Sequence, residues 1–343
     1  SLQLPHFFAC SIAMLAIVAF SGATHDIATD GVYMTELSKP DQAKYIGWQG
    51  AFYNIAKIVA SGGLVYLAGW LVKHFGGVEG ASGEVMYEAN VHAWMIVMFI
   101  MAAVMILLGL YHTRMLPSGG AAVTEATSFA ETFNKLVEVI LDFFKKKHIW
   151  YYIAFIILYR FAEGFVMKIV PLFLKAGREM GGLGLSEQEI GIYYGTYGAA
   201  AFVLGSLLAG YYISHRGLKR TLFSLCCIFN LPFMAYTLLA IYQPTNGMLI
   251  GGGIVLEYFG YGFGFVGLTL FMMQQVAPGK HQMAHYAFAS GIMNLGVMLP
   301  GMVSGFVSDW LGYRDFFIFI LFATIPAFLI TYFVPFTYPD AKK

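Results

Sequence analysis

Charge is scarce in this sequence. Only 11% of its 343 residues are Asp, Glu, Lys or Arg, against roughly 25% in soluble domains, which excludes an ordinary water-soluble globule. The formal net charge is +1, too small to hold a nucleic acid by bulk electrostatics, so no such partner is expected. Cysteine is also thin: Cys10, Cys226 and Cys227 all fall in apolar segments, and vicinal Cys226 and Cys227 would make a strained bridge. No disulfide framework, metal site or cofactor is implied, and these read as packing thiols. A secretory leader is lacking too, since Pro5 to Phe20 has neither a basic front nor a small-residue cleavage site. The first apolar segment instead resembles an internal membrane helix, and Ser1 is no initiator, so upstream sequence is expected to be missing.

What the chain has in plenty is apolar length. Hydrophobic residues make up 59%, gathered in nine stretches at 5–33, 46–74, 91–114, 148–176, 189–214, 221–242, 247–276, 283–309 and 316–337. Roughly 20 apolar residues cross a bilayer as a helix, so the fold class is an all-α membrane bundle. An odd number of spans puts the two ends on opposite sides. Loops on one side hold thirteen Lys and Arg and those on the other hold four. By the positive-inside rule the C-terminus and the 115–147 loop are then cytoplasmic. That loop divides the chain into 1–114 with three spans, 115–147 as a linker, and 148–343 with six. Within the linker, Pro117 to Gly120 reads as a hinge and Ser128 with Glu131 as a capping box. Phe129, Phe133, Leu136, Ile140 and Phe144 then recur at helical spacing before Lys145, Lys146 and Lys147. This predicts an amphipathic helix on the inner membrane surface.

An ionisable residue deep in a span is costly, and usually faces a partner or an aqueous cavity. Arg160 and Glu163, three apart in the fourth span, are predicted to share one continuous helix and pair with each other or with a facing helix. Lys168 lies one or two turns outward on the face of Arg160, and Glu257 sits at similar depth in the seventh span. Asp26 and Asp30 share a face of the first span, where two close carboxylates cannot both ionise cheaply. Lys57 is the cation placed to neutralise Asp26. Proton-coupling candidates are thus Asp26, Asp30, Glu163 and Glu257; substrate-binding candidates are Lys57, Arg160, Lys168, Tyr194, Tyr197 and Asn294. Set against these is the blander reading, a structural ion pair fixing helix register and tyrosines in an interfacial belt.

Other patterns carry less. His281 and His285 have metal-ligand spacing but no neighbouring carboxylate in the sequence completes a set. Gly262-x-Gly264-x-x-Gly267 matches the dinucleotide fingerprint by letter alone, inside an apolar helix with no preceding strand. Glycines there are expected to let helices approach closely, and Pro232 and Pro300 to kink theirs. His25 beside Asp26 has no nucleophile or metal set nearby, so an enzyme is not expected.

Four segments resemble a known family. Gly210-Tyr-Tyr-Ile-Ser-His-Arg-Gly-Leu-Lys-Arg220 is similar to a degenerate major facilitator loop signature, with Ser214 and His215 in place of its acidic-basic pair. Ser21-Gly-Ala-Thr-His-Asp-Ile-Ala-Thr-Asp30 resembles the fourth helix of the muropeptide-permease branch of that superfamily. Gly181 to Gly191 and Leu311 to Phe317 are similar to the same branch, especially its Bacteroidetes-like members. The resemblance implies helices four to twelve of a twelve-helix bundle, and hence a fragment of a longer parent. It also implies a secondary transporter in a bacterial inner membrane, working as a monomer by alternating access. Its partners would be a small solute, a proton and the lipid bilayer. The solute read from it is a muropeptide or another sugar-containing compound, imported with protons. Acyl-CoA or a drug-like solute is the alternative, as is a sensor that no longer transports.

Overall fold

The computed structural model describes residues 6–78, 80–116 and 129–339, a few of them, Lys57 included, by backbone alone. The hinge at 117–120 and Ser128 of the expected capping box lie outside the described residues. Among the described residues there are helices and no strand. The chain forms two compact units, one from 1–32 and 55–124, the other from 33–54 and 125–343.

The first unit holds most of α1 (Phe7–Glu36), a π-helical turn at Val59–Leu64, α3 (Val65–His74) and α4 (Gly83–Met115). Its core is small, with Ala68, Leu71, Ala93 and Val97 buried between α3 and α4. Ser82 caps α4 by accepting from the Val85 amide at 3.4 Å, satisfying one of the donors left open at a helix start. Most large apolar side chains of α1 and α4 point outward, as they do where lipid is the solvent.

The second unit takes in most of α2 (Lys39–Ile58), up to Asn54. It continues with the linker helix α5 (Phe129–Phe144), then α6 (Ile149–Tyr159) and α7 (Phe161–Lys175). After these come α8 (Glu187–Ile190), a π-helical stretch Gly191–Tyr197, and α9 (Gly198–Arg216). The rest is α10 (Leu218–Asn230), α11 (Phe233–Tyr242), α12 (Gly247–Phe271), α13 (Gln282–Ala323) and α14 (Ile325–Tyr332). Tyr152, Tyr159, Phe155, Phe229 and Phe271 centre its core, each no more than 1% exposed.

Among the described residues six helical stretches are long and apolar enough to cross a membrane by length and composition, and one of them, Gln282–Tyr332, has 51 residues. That stretch divides at Gly312, whose φ of 73° and ψ of 162° are outside the helical region. The expected spans 283–309 and 316–337 therefore meet at a glycine, the residue that tolerates positive φ without strain. Pro300 lies inside α13, and the non-helical residue of that stretch is Gly312. One expectation about this stretch is corrected. The last helix stops at Tyr332 rather than 337, because Pro335 offers no amide to continue it. Pro232 does interrupt its span, between α10 and α11. The larger correction concerns the fourth span. It is two helices, not one, broken at Arg160 with φ −106° and ψ 7°.

Close packing within the second unit rests on glycine. A Cβ at Gly205 of α9 would strike the carbonyl oxygen of Phe259 on α12, and one at Gly262 of α12 would strike the carbonyl of Phe202 on α9. The two backbones touch reciprocally, which only small residues permit. Gly264 faces the Phe229 side chain and the Leu225 carbonyl of α10, and Gly164 of α7 meets the Val297 carbonyl of α13. Gly205→Ala or Gly262→Ala is therefore expected to cost about 1–3 kcal/mol through overpacking. Thermal unfolding in detergent should show the loss, while Gly252→Ala, at a position with open space around it, should leave unfolding unchanged.

Candidate functional site

The break at Arg160 places two opposite charges at two helix ends. Arg160 follows the C-terminus of α6, and Glu163 falls in the first turn of α7. A cation suits the first position and an anion the second, because each meets the complementary end of a helix dipole. The side chains join as a bidentate fork, Nε to Oε2 at 2.5 Å and Nη2 to Oε1 at 2.6 Å. Both are almost wholly buried, at 5% and 2% exposure. The guanidinium also lies over the ring of Phe265, 5.2 Å from its centroid, a cation–π contact. Just before the break, the Tyr159 hydroxyl donates to the Gly264 carbonyl at 2.9 Å, tying α6 to α12.

Glu257 of α12 is the second buried carboxylate, 8% exposed. The hydroxyl of Tyr236 on α11 donates to its Oε2 at 3.1 Å, and Tyr236 itself stacks against Phe317. Within the described residues no salt bridge reaches Glu257. One carboxylate is thus neutralised by a fixed guanidinium while the other is held by a neutral phenol. Around them run tyrosines: Tyr194 packs edge-on against Tyr258 at 4.9 Å, and Tyr261 against Phe202 at 4.9 Å. The glycine-mediated approach of α9 to α12 is what allows these rings to meet, since a Cβ at Gly198 would press on the Tyr258 ring at 3.0 Å.

The predicted residues therefore separate. Arg160, Glu163, Glu257 and Tyr194 belong to the buried polar region of the second unit. Tyr197 is 51% exposed on the π-helical stretch, and Asn294 is exposed on α13. Lys168 is exposed on α7, its stem within 3.5 Å of where a Gly301 Cβ would sit. Asp26 and Asp30 belong to the first unit, Asp26 exposed and Asp30 partly buried on α1. Lys57 sits on α2 and its side chain lies outside the described ones, so the expected Asp26–Lys57 pair is not described. Sequence reasoning missed Tyr236 and Phe265. Tyr236 lies 21 residues before Glu257, on a different helix, and no spacing rule signals such a pair.

His281 does acquire carboxylate neighbours. Glu138 and Asp142 of α5 bring their oxygens within 4.8 Å of it. Lys280 already occupies Glu138 at 2.6 Å and holds that carboxyl below its ordinary range, so the group reads as an ion-pair set. The sequence could not reveal it because 138 and 281 are brought together only by the docking of α5.

The major facilitator superfamily profile matches residues 3–276 and 160–343. The chain therefore belongs to that superfamily, a multi-pass membrane family of transporters rather than enzymes. Among curated proteins it is similar to the anhydromuropeptide permease of Escherichia coli strain K12, 23% identical over 93% of this chain and 58% of the permease. It also resembles an uncharacterized protein of Haemophilus influenzae, at 24% over 94% of this chain and 71% of that one. A Rickettsia typhi protein bearing the name AmpG 2 is 23% identical over 60% of this chain and 48% of its own length. The chain thus spans somewhat over half the length of the permease it matches.

The bonding of Glu257 yields a stability test. Glu257→Gln keeps an acceptor for Tyr236 and should hold unfolding in detergent within roughly 1 kcal/mol. Glu257→Leu strands the Tyr236 hydroxyl and should cost about 1–3 kcal/mol. A Tyr236→Phe exchange in the Glu257→Leu background should recover part of that loss.

Proposed function

We propose that the protein works within a proton-coupled importer of a muropeptide or another sugar-containing solute, using alternating access in a bacterial inner membrane with its C-terminus in the cytoplasm. The observation that carries this reading is the pair of unlike buried carboxylates at midspan, Glu163 locked to Arg160 and Glu257 bonded to Tyr236. Burial penalises a charge that has no counter-ion, so a group that gains and loses a proton during a cycle is better placed at Glu257 than at Glu163. The Arg160–Glu163 fork is net neutral and serves as the fixed point around which helices move. Tyr194 and Tyr258 offer flat, polar-edged surfaces suited to sugar rings, and Tyr197 and Asn294 lie on the same unit's exposed faces. Lys168, exposed on α7, supplies a cation to meet a peptide or muramyl carboxylate. Asp26, Asp30 and Lys57 would act from the other unit.

The likeness to an anhydromuropeptide permease supports the choice of solute, and the cytoplasmic assignment rests on the thirteen-to-four bias in basic residues. An acyl-CoA substrate fits less well, because the buried guanidinium is already occupied by Glu163.

The test is uptake of labelled N-acetylglucosaminyl-anhydromuramyl peptide into membrane vesicles containing the protein, with and without an imposed proton gradient. Gradient-driven accumulation is expected, and Glu257→Gln should lose it while retaining solute exchange at zero gradient. Equal accumulation with and without the gradient would reject proton coupling. No uptake of this solute by correctly inserted protein would reject the muropeptide assignment.

A further inference from the structure

The linker helix has two faces, and the bundle uses only one. On the first, Phe143 is buried against the edge of Phe288 at 5.5 Å, and the Val139 carbonyl lies 3.1 Å from His285 Nε2. Glu138 pairs with Lys280 there. Lys146, just past the helix end, donates to the carbonyls of Val276, Ala277 and Pro278 at 2.6, 2.9 and 2.7 Å. These contacts pin α5 to the turn between α12 and α13.

The other face is apolar and open. Phe133, Leu136, Val137, Ile140, Leu141 and Phe144 recur at three- and four-residue steps, which places them in one stripe. Each is between 38% and 56% exposed. On a wheel of 100° per residue the stripe lies on the far side from Val139, Asp142 and Lys146, which meet the bundle. A row of large apolar side chains is not left in water without a reason. Where it ends, Phe144 stacks on Trp150 at 5.3 Å, and Trp150 is 69% exposed in the first turn of α6. The stripe thus runs on into an exposed tryptophan, a residue that favours the membrane–water interface. Lys145 and Lys147 are exposed at the same end.

We infer that this face of α5 docks on the boundary between headgroups and acyl chains of an anionic bilayer, with Lys145 and Lys147 meeting the headgroups. The helix then joins the turn between α12 and α13 to the membrane surface. Its apolar face sets the depth of insertion, and its basic end makes docking sensitive to lipid charge. This inference does not depend on which solute is carried.

The test uses the whole protein in vesicles of phosphatidylcholine alone, or of phosphatidylcholine with phosphatidylglycerol. Nitroxides are placed at Val137→Cys and Leu141→Cys, with Asn134→Cys as the polar reference, after Cys10→Ala, Cys226→Ala and Cys227→Ala. Collision with oxygen should exceed collision with a water-soluble nickel chelate several-fold at 137 and 141, and not at 134. High nickel access at 137 and 141 would overturn the inference. Low access to both reagents would overturn it too, showing a protein surface over the stripe. In parallel, amide exchange across α5 is followed in the protein with its own cysteines. It should be several-fold slower with phosphatidylglycerol present, and Lys145→Gln with Lys147→Gln should abolish that difference. Identical exchange in the two lipids would remove the anionic headgroup from the account.

Discussion

The interaction on which the second unit depends is the buried fork between Arg160 and Glu163. Burying two charges costs more than their attraction returns unless geometry is good and further partners assist. Here the backbone supplies that assistance. The chain breaks at Arg160, so the guanidinium stands at the carbonyl end of α6 and the carboxylate at the amide end of α7. An unbroken helix would still allow contact at a spacing of three residues but would offer neither dipole. The break and the ion pair are one arrangement, and each gives a reason for the other.

Consequences spread from this point through glycine. Gly164, the next residue after Glu163, brings α7 onto the backbone of α13 at Val297. Gly264, whose carbonyl accepts from Tyr159, brings α12 onto Phe229 of α10. In a membrane, where apolar burial provides little drive for helices to associate, such close approach and interhelical hydrogen bonding hold a bundle together. Gly198 likewise lets α9 close on the Tyr258 ring beside Glu257, whose partner is the Tyr236 phenol. A fixed pair beside a carboxylate lacking a cation gives the two buried acids different chemistry, which is the feature a coupled cycle requires.

Much of this architecture can be read from the residues, since the long helices follow from apolar length. The linker helix is equally plain, because Phe133, Leu136, Ile140 and Phe144 mark its face by spacing alone. Arg160, Glu163 and Glu257 stand out because charges are rare in such runs. The break at Arg160 does not stand out, for neither proline nor glycine occupies it, and tertiary contacts decide it. The Tyr236–Glu257 bond and the approach of Glu138 and Asp142 to His281 join distant parts of the chain. Periodicity reports a residue's own helix, and says nothing about which side chain a neighbouring helix will present.

The most direct measurement of the central claim is a double-mutant cycle at 160 and 163, read by unfolding of the purified protein in detergent. Arg160→Met and Glu163→Leu should each cost about 3–5 kcal/mol, because each leaves one buried charge unpaired. The double variant should be more stable than either single one, since no charge remains to be compensated. Single losses that simply add in the double variant would contradict the account, and would mean that the fork holds nothing else in place.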